Sequence, residues 1–210
     1  MNYVRVDKLH FVYSMTRPFT SVIRNSHILE RFNTYNWKPN PTISVDENYM
    51  DLTLLVTRSS KLKHGSMACI LARSNNIHDD IEPIERNLSH YIDGMISVST
   101  NMSLYKENES DIHAEIAAIG LAAKEGYATH NCTAYITMPP CRKCFAALLC
   151  AGVQRIVTRH DSPLFELAAT HNIEMITLKD CDGQRHRTNA IVQEYEDTVA
   201  ATEIIESASG

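Results

Sequence analysis

From Asp111 onward, short apolar runs and helical stretches alternate without a break, and this rhythm constrains the fold more than any other feature of the chain. The spacing predicts a helix over 112–125 stopped by Gly126, a strand over 133–138, and a helix over 141–151 ended by Gly152. It continues with a strand over 154–158, a helix from Ser162-Pro163 to about residue 171, and a last strand over 173–178. Two successive strand–short helix–strand units require right-handed crossovers between parallel neighbours. Upstream, Ser44-Val45-Asp46-Glu47 forms a capping box, and Leu52, Leu55 and Val56 follow at helical spacing, so a helix is expected over 45–59. The apolar run 67–72 reads as a buried strand, and Gly94 opens a second strand over 95–100. The expectation is a three-layer α/β domain over residues 44–180.

Three segments fall outside this pattern. Residues 1–43 carry apolar residues without a period and are an N-terminal extension. Residues 73–93 are a polar insertion, in which Pro83 is placed to start a short helix with Ile84, Leu88 and Tyr91 on one face. Residues 181–210 form a tail with one helical stretch around Ile191, Val192, Tyr195 and Val199, and a frayed end of small and acidic residues.

Charge narrows the partners. The net charge is −5, but the first 40 residues carry +4 and the rest −9. An acidic body lacks the basic footprint of a nucleic-acid binder, and the basic arm reads as a solvated face. No run of 18 apolar residues is present, so no bilayer span is expected. Residues 1–10 alternate apolar and charged side chains, unlike a secretory signal. Two of the six cysteines form a tight C-x-x-C, which suggests reduced thiols in an intracellular protein, cytoplasmic or nuclear, with a metal on that pair.

His113-Ala114-Glu115 stands at one expected helix start and Pro140-Cys141-Arg142-Lys143-Cys144 at the next, with a strand between them. Cys141 and Cys144 lie three residues apart, so one helical turn brings both sulfurs to one side. The helix dipole there favours anions, so both thiols are expected as thiolates at neutral pH. With the His113 imidazole they make an N/S ligand set suited to Zn²⁺. Three protein ligands leave the fourth position open, which is the arrangement of a catalytic zinc and brings the pKa of its water towards about 7. Glu115 is placed to face that water and to carry its proton to a leaving nitrogen. Cys69, Cys132, Cys150 and Cys181 have no spacing to this group, and the other histidines have no metal-ligand spacing.

His-Ala-Glu followed by Pro-Cys-x-x-Cys resembles the signature of the cytidine deaminase superfamily, a pattern described for zinc base deaminases in general. The likeness extends to residues 58–71 (RSSKLKHGSMACIL), to Asn101 at the end of the second strand, and to residues 145–157 (FAALLCAGVQRIV), which resemble the CMP/dCMP-type branch. It covers roughly residues 44–180. It implies a three-layer α/β/α cytidine deaminase-like fold with a mixed five-stranded sheet in the order 2-1-3-4-5, strands 4 and 5 parallel. It implies Zn²⁺ on His113, Cys141 and Cys144, with Glu115 as the proton shuttle. It further implies that the Ala114 N–H meets a base carbonyl, that the Pro139 carbonyl accepts from the departing amino group, and that Asn101 holds the ribose or deoxyribose. His160 and Asp161 are expected to edge the pocket, and His64 stands near it. A homo-oligomer is implied as well.

The chain departs from the branch at Ser66-Met67-Ala68, in the 73–93 insertion, and at Asn101-Met102-Ser103-Leu104, positions that help choose the substrate. The resemblance therefore implies deamination of a small-molecule cytosine nucleoside or nucleotide without singling out dCMP. Two alternatives stand beside it: a deaminase of a base within RNA, such as a tRNA adenosine, and a non-catalytic zinc-stabilised partner subunit.

Overall fold

The computed structural model of the chain describes residues 28–62, 65–74 and 87–209, with side chains to residue 205. Its elements, in chain order, are α1 (Val45–Thr57), β1 (Ala68–Arg73), α2 (Leu88–Gly94), β2 (Met95–Thr100), α3 (Ala114–Lys124), β3 (Cys132–Ile136), α4 (Arg142–Cys150), β4 (Arg155–Thr158), α5 (Phe165–Thr170), β5 (Glu174–Thr177) and α6 (Cys181–Ser209). The strands form one sheet in the order β2-β1-β3-β4-β5. β1 is antiparallel to both β2 and β3, whereas β3–β4 and β4–β5 are parallel, as the crossovers require.

Both faces of the sheet are covered, which is why its strands read as continuous apolar runs rather than alternating ones. In β1, Cys69 and Leu71 face a core shared with α3, α4 and α5. Ile70 and Ala72 face the opposite core, shared with α1, α2 and α6. α3 meets the sheet through Ala114, Ala118 and Ala122, all fully buried at i, i+4 and i+8, and the Ser97 hydroxyl donates to the Ala118 carbonyl at 2.9 Å.

Local signals explain the element ends. The Ser44 hydroxyl accepts the Glu47 N–H (3.2 Å) while the Glu47 carboxylate accepts the Ser44 N–H (2.9 Å), closing the capping box. α3 and α4 both stop at left-handed glycines, Gly126 and Gly152. In each case the next residue bonds back across the last turn, Tyr127 N–H to the Ala122 carbonyl and Val153 N–H to the Leu148 carbonyl. α3 starts two residues later than expected, because Ile112 is held in a bridge to Met102 and His113 is the N-cap. Gly94 closes α2 rather than opening β2.

The ends of the chain differ more from expectation. The expected helix from Pro83 begins outside the described residues, and α2, capped by Asn87, brings Tyr91 into the core. In the N-terminal extension, Trp37 is 4% exposed and meets Tyr91 edge-on at 5.7 Å. The tail is one 29-residue helix, not a short helix with a frayed end. Its inward seam is Gln184, Thr188 and Val192, two of them polar, so a search for apolar periodicity finds only its last part. Among the described residues no helix is long and apolar enough to cross a membrane.

Candidate active site

The sheet brings the two sequence motifs to one place. Met67 precedes β1, Asn101 follows β2 and Pro139 lies just past β3; the register pairs Ala68 with Thr100 and Cys69 with Ile136, so these three residues share one sheet edge. The starts of α3 and α4 open onto the same edge, where the C-terminal ends of parallel strands commonly hold ligands.

His113 is the N-cap of α3 and Cys141 the N-cap of α4. Cys141 Sγ accepts the Cys144 N–H at 3.5 Å, so this residue both caps its helix and stands ready as a ligand. His113 Nδ1 lies 3.8 Å from Cys141 Sγ and 3.4 Å from Cys144 Sγ. A tetrahedral zinc with ordinary Zn–N and Zn–S lengths sets its ligand atoms about 3.6 Å apart. The side chains present thus match the metal in element type and in separation. Among the described residues, His113, Cys141 and Cys144 are the group able to hold a metal ion, and no fourth His, Cys, Asp or Glu joins them.

Glu115, 5% exposed in the first turn of α3, lies beside the Cys144 thiol. With no metal bound, the Cys144 thiol lies above its usual range rather than below it. Burial pushes the thiol up, and the charge of Glu115 pushes it further, so in the metal-free protein these effects outweigh the helix dipole. Deprotonation of Cys144 therefore belongs to metal binding itself.

A cavity of about 240 Å³ opens over this cluster. Of the expected residues, Asn101, His113, Ala114, Glu115, Pro139 and Cys141 line it, and Cys144 sits behind the wall within contact of His113. His160 and Asp161 do not line it. Both are exposed, and the Thr158 hydroxyl holds the His160 carbonyl at 2.9 Å, folding that turn back over the end of β4. His64 lies outside the described residues. Met67, one of the departures from the branch, lines it as well, and Gly65, Ser110, Ile136 and Met138, which were not expected from the sequence, complete the lining. Their only sequence signal is adjacency to strand ends that carry motif residues. A hollow of about 340 Å³ between the Trp37 segment and α6 is larger, but among the described residues it has no group able to hold a metal.

Asn101, on the cavity wall, is also tied into the fold. It is 3% exposed, and its side-chain amide bonds to Gly65, Met67, Ser60 and Ser110 rather than pointing free into the cavity.

His-x-Glu and Pro-Cys-x-x-Cys, carried to one cavity by a mixed sheet, define the base-deaminase class of hydrolases. The chain belongs to the family described as the cytidine and deoxycytidylate deaminase zinc-binding region, whose model its residues 43–160 match. The deoxycytidylate deaminases of Enterobacteria phages T2 and T4 are each 36% identical to it over 50 residues, 24% of this chain. The matched stretch is 27% and 26% of those proteins, about a quarter of the length of these curated relatives. Among solved structures, the apo dCMP deaminase of cyanophage S-TIM5 gives a TM-score of 0.49 at 17% identity, over 64% of this chain and 97% of that one. The guanine deaminase from Nitrosomonas europaea gives 0.48 at 18% identity, over 92% of this chain and 98% of that one.

Proposed function

We propose that the protein catalyses zinc-dependent hydrolytic deamination of a cytosine nucleoside or nucleotide, giving the uracil form and ammonia. One observation carries this reading: the buried Glu115 carboxylate shares a cavity with His113 and Cys141, and Cys144 completes their cluster from behind its wall. The phage relatives, named deoxycytidylate deaminases, support cytosine as the base.

His113, Cys141 and Cys144 would hold the metal. When bound, zinc acidifies a water and so supplies a nucleophile at neutral pH. Glu115 takes a proton from the attacking water and delivers it to ring N3 as the C4–O bond forms. The same carboxylate then takes the remaining proton from the hydroxyl now on C4 and passes it to the amino nitrogen; C4=O forms as the C4–N bond breaks and ammonia leaves. The Ala114 N–H, at the first position of α3, has no intrahelical acceptor and is available to the base carbonyl. The Pro139 carbonyl, on the cavity wall, is available to the amino group before it leaves. Buried walls, including Ile136, limit competing solvent.

The test is an ammonia-release screen over cytidine, deoxycytidine, their mono- and triphosphates, adenosine, guanine and a tRNA anticodon loop, with chelated protein as the control. Metal-dependent release from one or more cytosine compounds is expected. Release from adenosine, guanine or RNA alone, or turnover unaffected by chelation, overturns the reading.

A further inference from the structure

The hollow between the Trp37 segment and α6 lies outside residues 43–160, and so outside the deaminase match. One wall is the turn over residues 35–38; the other is Ile191, Glu194, Tyr195 and Thr198 of α6. Tyr35 and Asn36 both hold left-handed backbone, φ 53° each, a conformation costly for residues other than glycine. The fold around them therefore keeps this wall in shape. The Tyr35 ring meets Tyr195 edge-on, with centroids 5.5 Å apart. Ile191, Tyr195, Thr198 and Thr202 recur at i, i+4, i+7 and i+11, so the stripe that lines the hollow continues along α6 beyond it.

Among the described residues, Val192 is the last buried side chain of α6, and every side chain from Glu196 to Glu203 is exposed. The helix nevertheless runs on from Glu196 to Ser209, about 21 Å. After Arg187 the sequence has no Lys or Arg, but it has Glu194, Glu196, Asp197, Glu203 and Glu206. Carboxylates near a helix C-terminus oppose its macrodipole. Propensity alone sustains such a stretch only marginally, so a cationic surface alongside it would supply what the helix lacks. Residues 1–27 carry Arg5, Lys8, Arg17 and Arg24 against Asp7 alone, a net +3 facing the −5 of residues 188–210. They also bring apolar side chains, among them Phe11, Phe19, Val22 and Ile23. Their point of attachment is beside α6, since Ile28 and Leu29 pack on the core that holds Val192 and Ile191. Even fully helical, residues 1–27 would measure about 40 Å, enough to follow α6 to its end.

We propose that residues 1–27 dock on α6 of their own chain, with apolar side chains in the hollow and along its stripe and basic side chains against the α6 carboxylates. Attachment within one chain makes the pairing intramolecular, so ion pairs that are individually weak suffice. The sequence alone reads this arm as solvated; the acidic helix supplies the surface it lies on. The inference goes beyond the deaminase reading and does not rest on it.

The test follows amide hydrogen exchange by mass spectrometry in the full chain, at residues 35–38 and 196–203, which flank the docking surface. Two double variants reverse charge on one side each: Arg17→Glu with Arg24→Glu, and Glu194→Lys with Glu203→Lys. Each should speed exchange at both segments about tenfold, and all four changes together should return it to within about twofold of the parent. The β3 amides should keep the parent's rates in every variant, which shows that the fold is intact. Lysine near the end of α6 suits the macrodipole better than glutamate, so an effect confined to the helix itself would slow exchange there, the opposite sign. Unchanged or slower exchange in either double variant, or no recovery in the fourfold variant, overturns the proposal. Protection that falls on dilution assigns the surface to the arm of a second copy and overturns docking within one chain.

Discussion

Arg187 on α6 clasps Asp51 on α1 from 136 residues away, with Nε 2.7 Å from Oδ2 and Nη2 3.1 Å from Oδ1. Asp51 is 3% exposed. Burial pushes its pKa up from 3.8, and Arg187 only partly pulls it back. A carboxyl raised in the folded state weakens folding above that raised value, and the penalty disappears as the pH falls through it towards the unfolded value.

Arg187→Ala should therefore cost about 3 kcal/mol near neutral pH by leaving Asp51 buried without its cation. The variant raises the folded-state pKa further, so its deficit should shrink on acidification. Urea unfolding of both proteins at neutral and mildly acidic pH checks this. A deficit independent of pH would mean that the loss is one of packing and not of charge.

This contact also marks where the sequence stopped being legible. Capping residues, glycine stops and buried apolar runs are local, and they placed α1, α3, α4 and all five strands to within a few residues. The motif residues were legible for the same reason, since helix starts fix which way His113, Cys141 and Cys144 face. The inward seam of α6 is Gln184, Thr188 and Val192, and much of its hold on the body is polar, through Arg187 to Asp51 and Arg159 to Gln184, so no apolar period announces it. The surroundings of the Cys144 thiol were illegible because its own helix start is local, whereas its burial and the Glu115 charge beside it come from other elements. The hydrogen bonds of Asn101 were not legible for the same reason, since its four side-chain partners come from segments brought together only by the sheet.

A second ion pair fastens α1 to the other end of the sheet. Asp46 accepts from Arg155 Nη1 (2.7 Å) and from the Tyr135 hydroxyl (2.8 Å), with both charged side chains about 15% exposed. Asp46→Ala should destabilise by about 3 kcal/mol, because Arg155 then keeps only Glu174. Tyr135→Phe should cost about 1.5 kcal/mol, the low end for a hydrogen bond to a charged acceptor. Denaturant midpoints at constant m-value distinguish the two.

The loop beside Ser110 has its own fastening. Asp111 accepts the N–H groups of Leu104, Tyr105 and Lys106 at 2.9, 2.8 and 3.2 Å, and these bonds hold its pKa below 3.8. A carboxyl lowered in the folded state stabilises above its unfolded pKa and loses that effect as the pH falls through the folded one. Amide exchange at residues 104–106, corrected for its intrinsic pH dependence, should be slow near neutral pH and lose protection only under strong acid. Asp111→Asn should expose those amides across the whole range, while the sheet amides keep their protection.

Glu115→Gln should lower kcat by about 10²–10⁴-fold while zinc content stays that of the parent. Metal analysis beside the ammonia assay tells the proton carrier from a ligand. Loss of zinc in this variant would make the carboxylate a structural partner of the site.

The alanine seam of α3 bears on how such a site tolerates change. Since Ala114, Ala118 and Ala122 set the helix directly on the pleat, no flexible side chain serves as a shim between them. The height of His113 and Glu115 above the strands is thus a dimension of the backbone itself. The Cys141–Cys144 turn rides instead on Phe145 and Leu148, side chains that can adjust, whereas one added methyl at Ala118 would lift the start of α3 with nothing to absorb it.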